Sequence, residues 1–433
     1  MRHAVPVLVL SIALAGCAFY RPAPLPAAPD TAATMPGPAA SLDMAAVARE
    51  AVARSPELAA LRAKSEVAEA QAAASGLLPE PQLSLSGDHP TVHMPDLTNG
   101  YAMGLSEDLQ QLLTFPSRLS AARASEAQSK LDLLWNEWQV VERAGTLYAQ
   151  KLFLDEKAAR LRRTASLMLR QADHSQAALA AGNTTLDLAG ADLSTALDLS
   201  GQADSAARDA LAADAGLRML LVLKPDAPLQ LAPLGDPEPY TREQVSEALA
   251  TVDKKRPDLL ALQAGYHAQE ENVRTAILQQ FPAITLGFNR ASDTTGVQTN
   301  GLALTVNLPI FGGVQNTIRL QRATRTQLKA EYQTRLNQTE SDAWRLYAEM
   351  SLLRDQVTLL EAKLPEFERM GEVGQRAYIA GDLPAATYVI LETSLSARLS
   401  ELYDLKSQLW SDTLALHSIL AMPLIAPAEV PPK

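Results

Sequence analysis

His89, His93 and Met94 lie close together in the polar, turn-rich segment HPTVHMPDLTNG, and imidazoles beside a thioether sulfur are donors that soft metal ions accept. The later segment ASDTTGVQTN, from Ala291 to Asn300, supplies no matching donors, so the expectation is a surface loop and no metal site. Cys17 is the only cysteine in 433 residues and cannot form an intramolecular disulfide. No Ser-His-Asp, Cys-His, phosphate-cradling or zinc-spaced constellation appears, so the sequence offers no enzyme chemistry and calls for no cofactor. The formal charge of -11 argues against a phosphate-binding surface, which excludes nucleic acid as a partner.

The elements around these residues begin with a secretory signal. Arg2 is followed by an apolar run from Val5 to Ala15, too short to span a bilayer, and then by Leu14-Ala15-Gly16-Cys17. An ordinary signal ends in an A-x-A-like site, whereas a cysteine just after the cleavage point resembles the lipobox of bacterial lipoproteins. That resemblance implies a signal peptide over 1–16 and a mature chain beginning at lipidated Cys17. Ala18, rather than Asp, follows the cysteine, which in this pattern favours the outer membrane. Residues 17–40 are rich in Pro and Ala and suit an extended tether.

Beyond the tether the expected class is mainly α with a small β part. A helical pattern from Leu42 to Leu78 stops at Pro79 and Pro81, and Gln82 to Gly87 then alternates polar and apolar as a strand. Tyr101 to Leu109 reads as a second strand. From Ser117 to Ala180 the pattern predicts one helix of roughly 95 Å at 1.5 Å per residue. Its apolar seam recurs every seven residues at Val140, Leu147, Leu154, Leu161 and Met168.

The second half repeats the first. Leu147, Leu154, Leu161 and Met168 stand 199 residues before Leu346, Leu353, Leu360 and Phe367, and the same spacing carries Ala181-Gly182-Asn183 onto Ala380-Gly381-Asp382. Ile284 to Asn289 and Gly301 to Leu308 are the matching strands. The repeats are expected over 41–224 and 242–421, joined by a linker over 225–241 and followed by a tail over 422–433. No later stretch offers about 18 uninterrupted apolar residues, so any membrane crossing must use strands of a closed barrel. One chain supplies four strands, too few to close alone, and composition and spacing leave two or three copies open.

Leu308-Pro309-Ile310-Phe311-Gly312-Gly313, Arg256-Pro257-Asp258-Leu259 and Tyr378-Ile379-Ala380-Gly381-Asp382 are similar to motifs of the TolC-like outer-membrane efflux proteins, and the chain after the tether resembles that family. The Asp of the family's Pro-x-Phe-Asp-Gly-Gly turn is missing here, and Phe115-Pro116-Ser117-Arg118 of the first copy lacks the glycine pair. The resemblance implies a homotrimer with a 12-stranded outer-membrane β-barrel on a long periplasmic α-helical barrel. It implies a passive exit duct of a tripartite efflux system, opened by a periplasmic adaptor protein and driven by an inner-membrane pump of the RND type, with outer-membrane lipid around the strands. Heavy metals or drugs would be the cargo, with the lipobox, the size and Phe115-Pro116 leaning toward the CzcC and CusC metal-efflux branch. Type I protein secretion and a structural coiled-coil periplasmic lipoprotein are the alternatives.

The resemblance also assigns sites. Gly182, Asn183 and Thr184, with Gly381, Asp382 and Leu383, become the hairpin tips that meet the adaptor. Family members narrow their entrance with acidic rings beyond these turns. Thr387 and Ile390 occupy the best-matching positions here, leaving Asp187, Asp192 and Glu392 as substitute entrance carboxylates. The apolar heptads thin out below Met168 and Phe367, so the lowest part of each long helix is expected to be the movable part.

Overall fold

The computed structural model describes residues 20–33, 41–92, 94, 96–308 and 311–422. Cys17, the signal segment, His93, Pro309-Ile310 and nearly all of the C-terminal tail lie outside them. The first copy contains α1 (Met44–Arg54), α2 (Pro56–Ser75), β1 (Gln82–Asp88), β2 (Gly100–Asp108), α3 (Leu109–Ala180) and α4 (Leu186–Leu220). The second contains α5 (Arg242–Leu249), a 3-10 turn, α6 (Pro257–Leu278), β3 (Ala283–Ser292), β4 (Gln298–Asn307), α7 (Gly313–Ala380) and α8 (Ala385–Ile419).

Local chemistry sets several of these boundaries. Asp43 caps α1 by accepting from the Ala46 amide at 2.6 Å. Thr241 and Gln244 form a reciprocal capping box on α5, satisfying two amides that the first helical turn leaves free. The helical pattern expected to run unbroken from Leu42 is two helices, because Pro56 can start a helix but not continue one, and Ser55 ends α1 and caps α2. The first long helix begins at Leu109, eight residues earlier than expected, and spans 72 residues. It tolerates Pro116 by giving up one backbone donor.

The four strands form one antiparallel sheet in the order β1-β2-β3-β4. Leu83 faces Leu105, Leu85 faces Met103, Leu105 faces Phe288, and Leu286 faces Leu304. Strand pleating therefore gathers these side chains, with Leu302 and Val306, on one face. The opposite face carries Ser84, Ala102, Gly104, Gly287, Asn289, Ala303 and Thr305. The first face is exposed and apolar, and the second small and polar.

Below the sheet the helices continue the same lateral order. Next to the sheet the packed order is α2-α3-α6-α7, and further down it is α4-α3-α8-α7. The molecule is thus a strip, with β1, α2 and α4 on one flank and β4 and α7 on the other. Along its seam Val140, Leu161, Met168 and Leu346 are almost fully buried, whereas Leu147, Leu154, Leu353, Leu360 and Phe367 are half-buried. Two related apolar clusters hold the middle, one around Ala144, Tyr148 and Leu217 and one around Ala343, Leu346 and Leu416. Tyr148 reaches the carbonyls of Leu42 and Ala232, tying the chain before α1 to the linker between copies.

The four tryptophans lie in or on helices, as packing would have it. Trp344 packs on Tyr347 and under Arg242, Trp135 lies under Arg256, and the Trp410 indole donates to the Gly235 carbonyl at 2.8 Å.

Candidate functional site: the hairpin tips and the joint above them

Both long helices end in the same device. The Asn183 amide donates to Ala178 and the Gly182 amide to Leu179, and in the second copy Asp382 donates to Ala377 and Gly381 to Tyr378. This is a Schellman turn, which requires a left-handed residue. Gly182 sits at φ 72° and Gly381 at φ 81°. Asn183 and Asp382 are exposed, whereas Thr184 and Leu383 are half-buried against their own hairpins.

Replacing Gly381 by Val forces a β-branched residue to positive φ, at a cost of about 1 kcal/mol or more. No neighbour lies within 4 Å of a Cβ built there, so the strain is local. The expected result is a small fall in the thermal midpoint with the sheet still folded, read by circular dichroism, and a large fall would make Gly381 a residue that the whole fold needs.

The three candidate carboxylates separate. Asp187 is exposed in the first turn of α4, and a hydrogen bond from the Thr185 hydroxyl, its largest influence, holds it below the usual carboxylate range. Asp192 is turned into the α3–α4 hairpin, where it accepts from the Gln171 amide at 3.2 Å and from the Ser175 hydroxyl. Glu392 pairs with Arg160 across the α3–α8 joint at 3.4 Å. Asp192 and Glu392 thus hold helices together within the chain.

That joint contains more than the sequence had suggested. Lys157 on α3 pairs with Asp404 on α8 at 2.7 Å. Tyr378 stacks on Tyr388 with centroids 4.9 Å apart, and its hydroxyl donates to Gln171 at 3.4 Å. Burial, ahead of the charges of Glu392 and Tyr378, pushes the Tyr388 phenol above its ordinary range. A polar groove of about 530 Å³ runs between α3, α7 and α8, with Arg160, Arg163 and Arg170 on one wall and Glu368, Glu372 and Glu392 on the other. Ion pairs and solvent thus interrupt the apolar packing above the tips, and it resumes below them where Val389 of α8 joins Leu161, Met168 and Ala172 of α3.

At the opposite end, the His89 ring hydrogen-bonds with Asn99 at 2.7 Å across the base of its loop, and Met94 is exposed. Among the described residues no cluster of His, Cys, Asp or Glu could hold a metal, and no helix is long and apolar enough to cross a membrane.

Comparison with known proteins agrees with this architecture. Residues 248–421 match the outer membrane efflux protein family. No curated protein matches the sequence. Among solved structures, the CmeC outer membrane channel of Campylobacter jejuni superposes with a TM-score of 0.72 at 15% identity, covering 87% of this chain and 85% of that one. VceC, an outer membrane protein of Vibrio cholerae, gives 0.70 at 17% identity over 88% and 96% of the two chains. CusC, whose structures concern folding and transmembrane channel formation, gives 0.68 at 16% over 88% and 92%. The chain shares the TolC-like fold along 88% of its length, and over residues 248–421 it is similar to the outer membrane efflux proteins.

Proposed function

We propose that this protein is the passive exit duct of a tripartite efflux system, closed as a homotrimer with a twelve-stranded barrel and gated at the helical tips by a periplasmic adaptor. The observation that carries the reading is the four-stranded sheet with two unpaired edges, one apolar face and one small polar face. In lipid an unpaired strand edge costs several kcal/mol for each unsatisfied backbone group, so β1 and β4 must find partners on other copies. The apolar face then meets lipid and the polar face lines the duct. β2, β3 and β4, of nine or ten residues, suit a tilted crossing, and β1 is shorter at seven.

Gating rests on the joint above the tips. An adaptor that binds the splayed arrangement better shifts the population toward it, and the ion pairs of the α3–α8 joint oppose that shift. Arg160→Ala should weaken the closed state by about 1 kcal/mol, raising the open-to-closed ratio roughly fivefold. Time-averaged conductance in planar bilayers checks it, and an unchanged conductance contradicts it. Glu392 belongs to this closing joint and Asp192 to the α3–α4 hairpin, which leaves Asp187 as the exposed carboxylate at the entrance.

Cys17 is proposed as the lipidated first residue of the mature chain, exported by its signal and anchored in the outer membrane with the helices in the periplasm. Residues 20–33 support a tether, since they form no helix or strand, are exposed almost throughout, and Ala32 bridges to Leu223 beside the middle cluster. Cys17→Ala should yield a mature chain without acyl mass, and an unmodified N-terminus in the wild type would contradict the assignment. The pump, of RND type, and the cargo, a metal ion or a drug, rest on the motif resemblance to the TolC-like family alone.

A further inference from the structure

The 199-residue repeat relates contacts as well as residues. The two Schellman turns agree bond for bond, and Val222 and Ala421, both at positive φ, follow α4 and α8 at the same spacing. Ser175 meets Asp192 in the first hairpin. At the related positions of the second, Gly374 meets Leu391, whose Cδ2 lies 2.5 Å from where a glycine Cβ would stand.

The α3–α8 joint connects the first copy to the second within one chain. The same relation moves α3 onto α7, and α8 onto an α4 that must belong to another chain, because α4 and α7 occupy opposite flanks of the strip. Those flanks also carry β1 and β4, each with one edge unpaired among the described residues.

Resting on the closed ring proposed above, we infer that the α7 face around Leu359 docks on the α4 face around Leu193 of a second copy, forming an apolar joint where its in-chain counterpart is ionic. Arg160 and Glu392, paired within the chain, become Leu359 and Leu193. Lys157 and Asp404, the other pair, become Gln356 and Ser205. Neither charge pair survives the relation. Leu359 is 62% exposed, and Leu352, one heptad above it, is 66% exposed. On α4, Leu193 is half-buried beside the α3–α4 cluster while Leu197 and Leu211 are exposed, and Gly190 and Gly201 have open space around them despite being poor residues for a helix interior. Leucine knobs beside glycine hollows are what a second helix packs against.

Two kinds of joint then alternate around the ring. The ionic joint borders a solvent-filled groove and can exchange its ion pairs for water, whereas separating the apolar joint exposes leucines. The α7–α8 hairpin of one copy and the α3–α4 hairpin of the next therefore move as one body when the tips open.

Cross-linking tests this in the Arg160→Ala channel, with short bifunctional thiol reagents and introduced cysteine pairs. Ser205→Cys with Gln356→Cys should give a covalent ladder of chains on denaturing gels while the raised conductance persists. Lys157→Cys with Asp404→Cys should give no ladder and return the conductance to the closed level. Adding Leu359→Glu, an exposed position, should suppress the ladder. Trimers of normal mass without a Ser205–Gln356 ladder would overturn the inference and leave the proposed function standing. Monomers would overturn both. A ladder that closes the channel as fully as the in-chain link would show that the joint between copies moves, and would also overturn it.

Discussion

Leu304→Arg is expected to abolish assembly in the outer membrane. Leu304 stands in β4 opposite Leu286, on the face shared with Phe288 and Leu302, and is 64% exposed. A guanidinium facing lipid near the bilayer midplane costs about 2–4 kcal/mol, and the cost recurs in every copy of a ring. Thr305→Arg, one residue on, points the same charge at the small polar face. That variant should insert normally and lower conductance by obstructing the duct. Outer-membrane trimer levels for the two variants decide the matter. Wild-type assembly of Leu304→Arg, or loss of assembly in Thr305→Arg, would mean that the faces are assigned the wrong way round.

Arg256→Leu should be the most destabilising single change in the helical body. Arg256 is buried before α6, where its guanidinium donates to Asp258 at 2.7 and 3.1 Å and to Thr339 of α7 at 2.8 Å, and lies over the Trp135 ring of α3 at 4.9 Å. Removing it leaves the Asp258 carboxylate buried, with Arg335 at 3.7 Å as its remaining cation. Breaking a buried pair in this way costs about 3–5 kcal/mol, whereas replacing both partners by apolar residues is often nearly neutral. The thermal midpoint of Arg256→Leu in detergent should fall well below that of Arg256→Leu/Asp258→Leu. A double variant no better than the single would mean that the contact with Trp135, not the ion pair, is what matters.

Much of this molecule was legible in its sequence because its regularities are one-dimensional. Heptad spacing predicts which side of a helix is buried, and Val140, Leu161, Met168 and Leu346 lie where it puts them. The constant 199-residue interval aligned the two tips before their geometry was known, since only glycine serves the left-handed position of each turn. Period-two alternation located all four strands, with ends off by up to three residues where the pattern fades, as at Gln298 and Ser292.

Contacts without a period were not legible. Arg160 and Glu392 are separated by 232 residues, and each alone reads as part of a solvated helix face. The partners of Asp192 were hidden too, because nothing along the chain announces that Gln171 and Ser175 on the facing helix will hold it. The early start of α3 was hidden by Pro116, which reads as a helix boundary although a long helix can absorb one lost hydrogen bond. The absence of charge at Leu193 and Leu359 acquires meaning only beside the ion pairs to which the repeat relates them.

The most direct test of the account is the behaviour of purified protein in a mild detergent and then in a planar bilayer. The account predicts particles about three times the 46.5 kDa chain mass. It also predicts discrete conductance steps that become more frequent in Arg160→Ala. Monomeric particles with folded strands that carry no current would contradict it.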